Sequence, residues 1–121
     1  MDVNMDDYYD KRAEWSLIPE YMQGAVYRYV MQGIEPGSFL SAVLENDLKG
    51  AFGRADYTNK GRIEDYLRFF YSHVPAIAWG SPAIVWAWIE RGGMKGMEGR
   101  AALHGKPSHP AVEKLAKEDE A

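Results

Sequence analysis

Apolar residues recur at intervals of three and four positions along most of the chain, which predicts α-helices rather than strands. The central example begins at Ser38, a candidate N-cap after Pro36, runs to about Phe52 and can be closed by Gly53. Its apolar positions predict a single face: Leu40, Val43, Leu44, Leu48, Ala51 and Phe52. Because such a face must be covered, we expect neighbouring helices to pack against it.

Proline and glycine bound two of the predicted neighbours. The first begins near Pro19 and ends at Gly33, since glycine suits a left-handed cap. The next is capped by Asp56 or Thr58 and stops at Pro75. Their predicted apolar stripes are Ile18, Met22, Ala25, Val26, Tyr29 and Val30 in the first, and Ile63, Tyr66, Leu67, Phe70, Tyr71 and Val74 in the second.

A further helix begins with the cap-and-proline pair Ser81-Pro82 and ends at Gly92-Gly93. It carries Trp86 and Trp88, which lie two positions apart and therefore point roughly opposite ways. We expect one of them inside and the other near the surface, together with Trp79. No stretch alternates convincingly with period two. The pattern therefore predicts an all-α protein, a compact bundle of about four short helices.

The composition along the chain predicts three parts. Residues 1–17 form an acidic N-terminal segment that also carries aromatic residues, residues 18–93 form the helical domain, and residues 94–121 form a flexible Gly/Lys-rich tail with a short terminal helix. The first 20 residues hold six acids and two bases, within a net charge of −4 for the whole chain. Such an acidic head could meet a basic partner or the basic tail.

The chain has no cysteine, which excludes disulfides, thiolate metal sites and cysteine nucleophiles. Met1 is followed by acidic residues rather than by a signal peptide, and the longest nearly apolar run is too short to span a bilayer. We therefore expect a soluble, cytoplasmic protein that makes no membrane contact.

Recognisable catalytic and cofactor motifs are missing. The three histidines, His73, His104 and His109, lack metal-ligand spacing, and Gly80-Ser-Pro82 is not a nucleophile elbow. The glycines near Lys95 match neither phosphate-loop nor dinucleotide spacing. We therefore predict no metal, no cofactor and no catalytic residue, and favour a non-enzymatic role.

One polar cluster leaves a ligand-binding or catalytic role open. Asn46 and Asp47 interrupt an otherwise apolar helix, where neither residue type is favoured. With the polar residues of the following loop they either form structural hydrogen bonds and caps or line a small site. The candidate set is Asn46, Asp47, Arg54, Asp56 and Asn59.

Nucleic-acid binding is a second alternative. A basic cluster surrounds the two central helices, which could act as a helix–turn–helix unit: Lys49, Arg54, Lys60, Arg62 and Arg68. The pI near 5.3 and the acidic residues between these bases argue against a strong phosphate footprint.

The aromatic content is 13%; exposed aromatic residues are typical of protein–protein contacts, whereas a small bundle also packs tryptophans against its ends. The residues predicted to anchor a partner are Tyr8, Tyr9, Trp15, Trp79 and Trp86. A homo-oligomer is compatible with each of these functions, because a small bundle can hide a leftover apolar face in a dimer.

The stretch from Ile18 to Gly93 resembles a family of small uncharacterised proteins encoded by phages and prophages. The matching residues are Ile34-Glu-Pro-Gly-Ser-Phe-Leu-Ser-Ala-Val-Leu-Glu-Asn-Asp-Leu48, Ala51-Phe-Gly-Arg-Ala-Asp56, Trp79-Gly-Ser-Pro82 and Trp88-Ile-Glu-Arg-Gly-Gly93. The resemblance implies a mobile-element setting, in which small acidic proteins often bind a host or defence protein. It implies no activity and assigns no functional residue. The expected function is stoichiometric binding that modulates or inhibits such a protein.

Overall fold

The computed structural model describes residues 12–96, and every regular element in this range is a helix. The all-α prediction is therefore confirmed for this part of the chain. The α-helices with defined bounds are α1 (Glu20–Gln32), α2 (Ser38–Leu44), α3 (Leu48–Arg54), α4 (Tyr57–Lys60), α5 (Ile63–His73) and α6 (Pro82–Arg91). Short 3-10 helices cover Trp15–Leu17 and Ala76–Ala78, and residues 93–96 are helical again.

The prediction of one helix from Ser38 to Phe52 is wrong. The first part ends at Leu44, and Asn46 takes a left-handed conformation with φ 65°. The Asn46 N–H donates to the Val43 carbonyl and the Asp47 N–H to the Ala42 carbonyl, which is the hydrogen-bond pattern of a Schellman cap. Asp47 then caps α3, because its Oδ1 accepts from the Gly50 N–H at 2.9 Å.

The next predicted helix is also divided. Asp56 is an N-cap as expected, because its Oδ1 accepts from the Asn59 N–H at 2.7 Å. The helix that it caps, however, is the short α4 and does not continue to Pro75. Gly61 follows α4, and α5 begins at Ile63. Val74 ends α5 in an extended conformation before Pro75, as the proline predicted.

The outer helices end where their glycines predicted. Gly33 and Gly92 both adopt left-handed conformations, and Ser81 caps α6 through a bond from the Ile84 N–H to its hydroxyl. The start of α1 differs by one position, because Pro19 is its N-cap. A Cβ on Gly33 would lie 2.6 Å from the Gly93 nitrogen, so the ends of α1 and α6 touch through their backbones.

The core is aromatic and aliphatic. Its largest fully buried side chains are Trp88, Tyr29, Tyr66, Phe69, Phe70, Ile18, Met31, Leu40, Leu44, Val26 and Val30. The Trp88 Nε1 donates to the Tyr29 carbonyl at 3.0 Å, and the Tyr29 hydroxyl donates to the Ala78 carbonyl at 2.5 Å. Burial raises the pKa of Tyr29 far above its ordinary value. These bonds satisfy the polar atoms that the rings bring into the core. They also join α1 to the 3-10 helix Ala76–Ala78 and to α6.

The residues before α1 lie against α5. The Trp15 ring packs on Phe69 at a centroid distance of 4.8 Å, and the Arg62 guanidinium donates to the Ser16 and Leu17 carbonyls. Residues 12–17, the described part of the predicted N-terminal segment 1–17, thus pack on the helical domain. Within residues 12–96, no helix has the length and apolar character needed to cross a membrane.

Candidate functional site

The structure sorts the five-residue polar set into separate hydrogen-bonded groups. Asp47 and Arg54 lie at the two ends of α3, where Arg54 Nη1 is 3.6 Å from Asp47 Oδ2. Asp56 and Asn59 form the other group at α4. Asn46 precedes Asp47 as the left-handed cap of α2. Most of the set therefore has a clear role in ending or starting helices.

Asp56 and Asn59 belong to what we call the polar network, which comprises Tyr21, Asp56, Asn59 and Tyr66. Asn59 is buried, at 3% exposure, and its Oδ1 accepts from the Tyr66 hydroxyl at 2.7 Å. The Tyr21 hydroxyl donates to Asp56 Oδ2 at 2.5 Å. The side-chain oxygens of Asp56 and Asn59 are thus occupied by partners within the same chain.

The pKa values in the polar network follow from these contacts. The hydrogen bond from Tyr21 is the main cause that lowers the pKa of Asp56, and the Asn59 N–H adds to it. The same bond is the main cause that raises the pKa of Tyr21. Burial raises the pKa of Tyr66. Each shift keeps the hydrogen-bonded protonation state at neutral pH, so the network is stable there rather than poised for proton transfer.

An open cavity lies beside Asn46, a residue of the predicted polar set. We call it the Tyr71 groove, and its volume is about 360 Å³. It is lined by Asn46, Tyr71, Val74, Ala76, Trp79 and Gly80. Among residues 12–96, no acidic, basic or histidine side chain lines it.

The groove has this shape because the α5–α6 connection is fixed to α2. The Gly80 N–H donates to the Leu44 carbonyl at 2.7 Å, which brings Trp79 and Gly80 beside Asn46. Gly80 has φ 126°, a backbone conformation that residues other than glycine rarely adopt. A substitution at Gly80 would therefore disturb the wall of the groove.

Tyr71 and Trp79 form the aromatic wall of the groove. Their ring centroids are 4.8 Å apart at an interplanar angle of 86°, and Trp79 also meets the buried Phe70 edge-on at 5.4 Å. Tyr71 itself is 81% exposed. A core residue thus holds Trp79, and Trp79 in turn supports an exposed tyrosine, which gives a rigid ring available for contact.

The predicted aromatic anchors are placed differently from one another. Trp79 lines the groove, whereas the half-buried Trp15 packs on Phe69. Trp86 is half-buried on α6 while Trp88 is fully buried, in line with their opposite directions. Tyr8 and Tyr9 lie outside the described residues.

Sequence reasoning placed Tyr71 in the buried stripe of its helix, and this was wrong. A signal for its exposure was present. Phe69, Phe70 and Tyr71 are consecutive and cover about 200° of the helix surface, so they cannot all face one core. Tyr71 is the one of these three that carries a hydroxyl, a group that favours contact with water. Leu48 and Phe52 were also assigned to a single apolar face with the core residues, and both are exposed.

Most bases of the predicted nucleic-acid surface have partners within the chain. Arg62 binds Asp65 as well as the carbonyls before α1, Arg68 binds Glu64, and the Lys60 ammonium lies 5.1 Å from the centre of the Phe52 ring. These contacts, with the Asp47–Arg54 pair, leave a mixed surface rather than a continuous basic one. In the described range, no group of three or more His, Asp or Glu side chains could hold a metal ion.

Comparison with known proteins adds no assignment: no family model, no curated protein and no solved structure matches this chain significantly.

Proposed function

We propose that this chain is a non-enzymatic binding protein that acts by stoichiometric contact, with the Tyr71 groove as its contact surface. The observation that carries the proposal is the pair formed by Tyr71 and Trp79. It presents an 81% exposed ring, braced through Trp79 on the core, at the edge of an open groove of about 360 Å³.

Energetic arguments support a protein as the partner. Tyrosine and tryptophan are the residues most enriched among those that dominate binding energy at protein interfaces. A braced ring loses little conformational entropy when a partner covers it. Among the described residues, the groove lining has no acidic, histidine, lysine or serine side chain, which favours binding over reaction.

The partner in this proposal is a host or defence protein in the bacterial cytoplasm, and the chain modulates or inhibits it. The setting rests on the resemblance to phage and prophage proteins. The chemistry of the groove adds that the partner offers an uncharged aliphatic or aromatic side chain, which would contact Tyr71 and Val74. The described helices act here as one compact body that presents the groove.

The test is an affinity capture from bacterial lysate with tagged wild-type chain and two single variants. Tyr71→Ala removes the exposed ring of the groove. Tyr57→Ala is its matched control, since Tyr57 is a 95% exposed tyrosine outside the groove. We expect the wild type and Tyr57→Ala to retain one protein in stoichiometric amount, and Tyr71→Ala to lose it. Equal capture by all three, or no stoichiometric partner for the wild type, would contradict the proposal.

A ligand-binding alternative keeps one supporting observation. Asn46 lines both the Tyr71 groove and a second cavity beside α3. The volume of the groove lies within the range of small-molecule pockets. In this alternative Asn46 orients the ligand, while Asp56 and Asn59 keep their structural roles.

A further inference from the structure

Trp79 brings unpaired main-chain groups to the Tyr71 groove. Its φ of −155° and ψ of 162° are those of an extended strand, although no sheet is present among the described residues. Among residues 12–96, neither its N–H nor its C=O has a hydrogen-bond partner. A buried main-chain group without a partner is rare, so both groups fit their place on the lining of an open cavity.

The neighbouring peptide unit shows how these two groups are oriented. The Gly80 N–H donates to the Leu44 carbonyl, and the peptide bond is trans, so the Trp79 C=O points away from Leu44. In an extended residue the N–H and the C=O lie on the same edge of the chain, which lets it exchange two hydrogen bonds with a residue of another strand. Trp79 therefore offers a donor and an acceptor side by side.

Asn46 contributes a second donor and acceptor to the lining of the same groove. Its side chain is exposed, and no described residue forms a hydrogen bond with its carboxamide. A carboxamide has an N–H donor and a C=O acceptor, which are the two groups that a peptide unit presents. The groove thus has two places that complement a main chain, beside the rings of Tyr71 and Trp79 that suit an uncharged side chain.

This pattern of donors and acceptors discriminates between two ways in which a protein could enter the groove. The main-chain groups in the middle of a helix are already bonded within that helix. A docked helix face would therefore cover the Trp79 N–H and C=O without pairing them, which is unfavourable. An extended segment has free main-chain groups and can pair with both.

We propose that the Tyr71 groove recognises an extended peptide segment of its partner protein. One residue of the segment exchanges two main-chain hydrogen bonds with Trp79, Asn46 bonds a further peptide unit, and an uncharged side chain contacts Tyr71 and Val74. This inference rests on the proposed protein-binding function and adds to it the conformation of the bound segment.

The first experiment selects ligands with purified full-length chain instead of a lysate. The probes are two displayed libraries, one of random linear peptides and one with random residues on the face of a stable helix. We expect linear peptides that bind the wild type and Tyr57→Ala alike and bind Tyr71→Ala at least about tenfold more weakly. Selection from the helical library alone, or no linear peptide that prefers the wild type to Tyr71→Ala, would overturn the proposal.

The second experiment tests the main-chain pairing by amide hydrogen exchange, measured by NMR on labelled chain with and without a selected peptide. The Trp79 amide should exchange readily in the free chain and at least about tenfold more slowly in the complex. The Gly80 amide is the reference, because it is already bonded to Leu44 and should change little. Saturation with peptide that leaves Trp79 exchange unchanged would contradict the pairing.

The lysate capture separates this inference from the function on which it rests. A captured partner that depends on Tyr71 but leaves the Trp79 amide unprotected would overturn the extended conformation of the bound segment and not the binding function. Peptides that bind and protect Trp79 when the lysate yields no partner would support this mode of recognition and contradict the proposed cellular role.

Discussion

The polar network and the Tyr71 groove lie on the same helical body but use their side chains in opposite ways. In the network, the hydroxyl of Tyr66 and the side-chain oxygens of Asp56 and Asn59 are bonded within the chain. In the groove, Tyr71 leaves most of its ring open to solvent. The polar residues that suggested chemistry thus stabilise the fold, whereas the proposed binding surface uses an aromatic residue that the sequence pattern placed inside.

The largest expected effect is the loss of stability caused by a substitution in the polar network. Asn59→Ala leaves the buried Tyr66 hydroxyl without its acceptor, and we expect it to lower the free energy of unfolding by about 1–3 kcal/mol. Urea denaturation measures this loss. Partner capture through the Tyr71 groove should persist at low temperature, where the variant remains folded.

Tyr66→Phe is the matched control for that prediction. If the hydrogen bond accounts for the loss, the double variant Asn59→Ala with Tyr66→Phe should be less destabilised than the sum of the two single changes. Strict additivity would show that the two side chains act independently.

An intermediate effect separates the structural role of Asn46 from a role in binding. Its φ of 65° should make Asn46→Ala less stable than the wild type by about 1 kcal/mol, whereas Asn46→Gly should stay within about 0.5 kcal/mol. Both variants lack the amide. Normal partner capture by Asn46→Gly would restrict the residue to capping, and complete loss of capture by this stable variant would place the Asn46 amide in the contact surface.

The smallest effect concerns pH. The pKa of Asp56 is lowered in the folded chain, so its charged form contributes stability above the unfolded value of about 3.9, and this contribution disappears as the pH falls through the folded pKa. Asp56→Asn removes the charge. We therefore expect wild type and Asp56→Asn to differ most near neutral pH and to converge in acid. Melting temperatures from pH 7 to pH 2 would reveal a constant difference if this explanation is wrong.

The sequence was informative where a helix boundary depends on one residue type. Glycine at 33 and 92 and the Ser81-Pro82 pair marked real ends, because left-handed caps and proline geometry are local. The helix break at Asn46 was not predicted, because the apolar residues on both sides keep helical spacing across it. Asparagine followed by aspartate nevertheless indicates a helix break, because asparagine suits a left-handed C-terminal cap and aspartate suits an N-cap.

The candidate site was harder to predict because it depends on contacts between distant segments. The bond from Gly80 to Leu44 creates the groove, and nothing in the spacing of either residue indicates that they meet. Trp79 was predicted as a candidate anchor, but its role as a support for Tyr71 follows only from the contacts of its ring with both Phe70 and Tyr71. Helical periodicity assigns a residue to a face, and tertiary packing decides which part of that face is covered.

The bond from Trp88 to the Tyr29 carbonyl has a consequence for synthesis. The two residues are 59 positions apart, so a ribosome that adds about 5–20 residues per second makes the partner of Tyr29 roughly 3–12 s after Tyr29 itself. During that interval α1 lacks the Trp88 indole. The core of this protein can close only after α6 has been made, and the nascent chain presents apolar surface to chaperones until then.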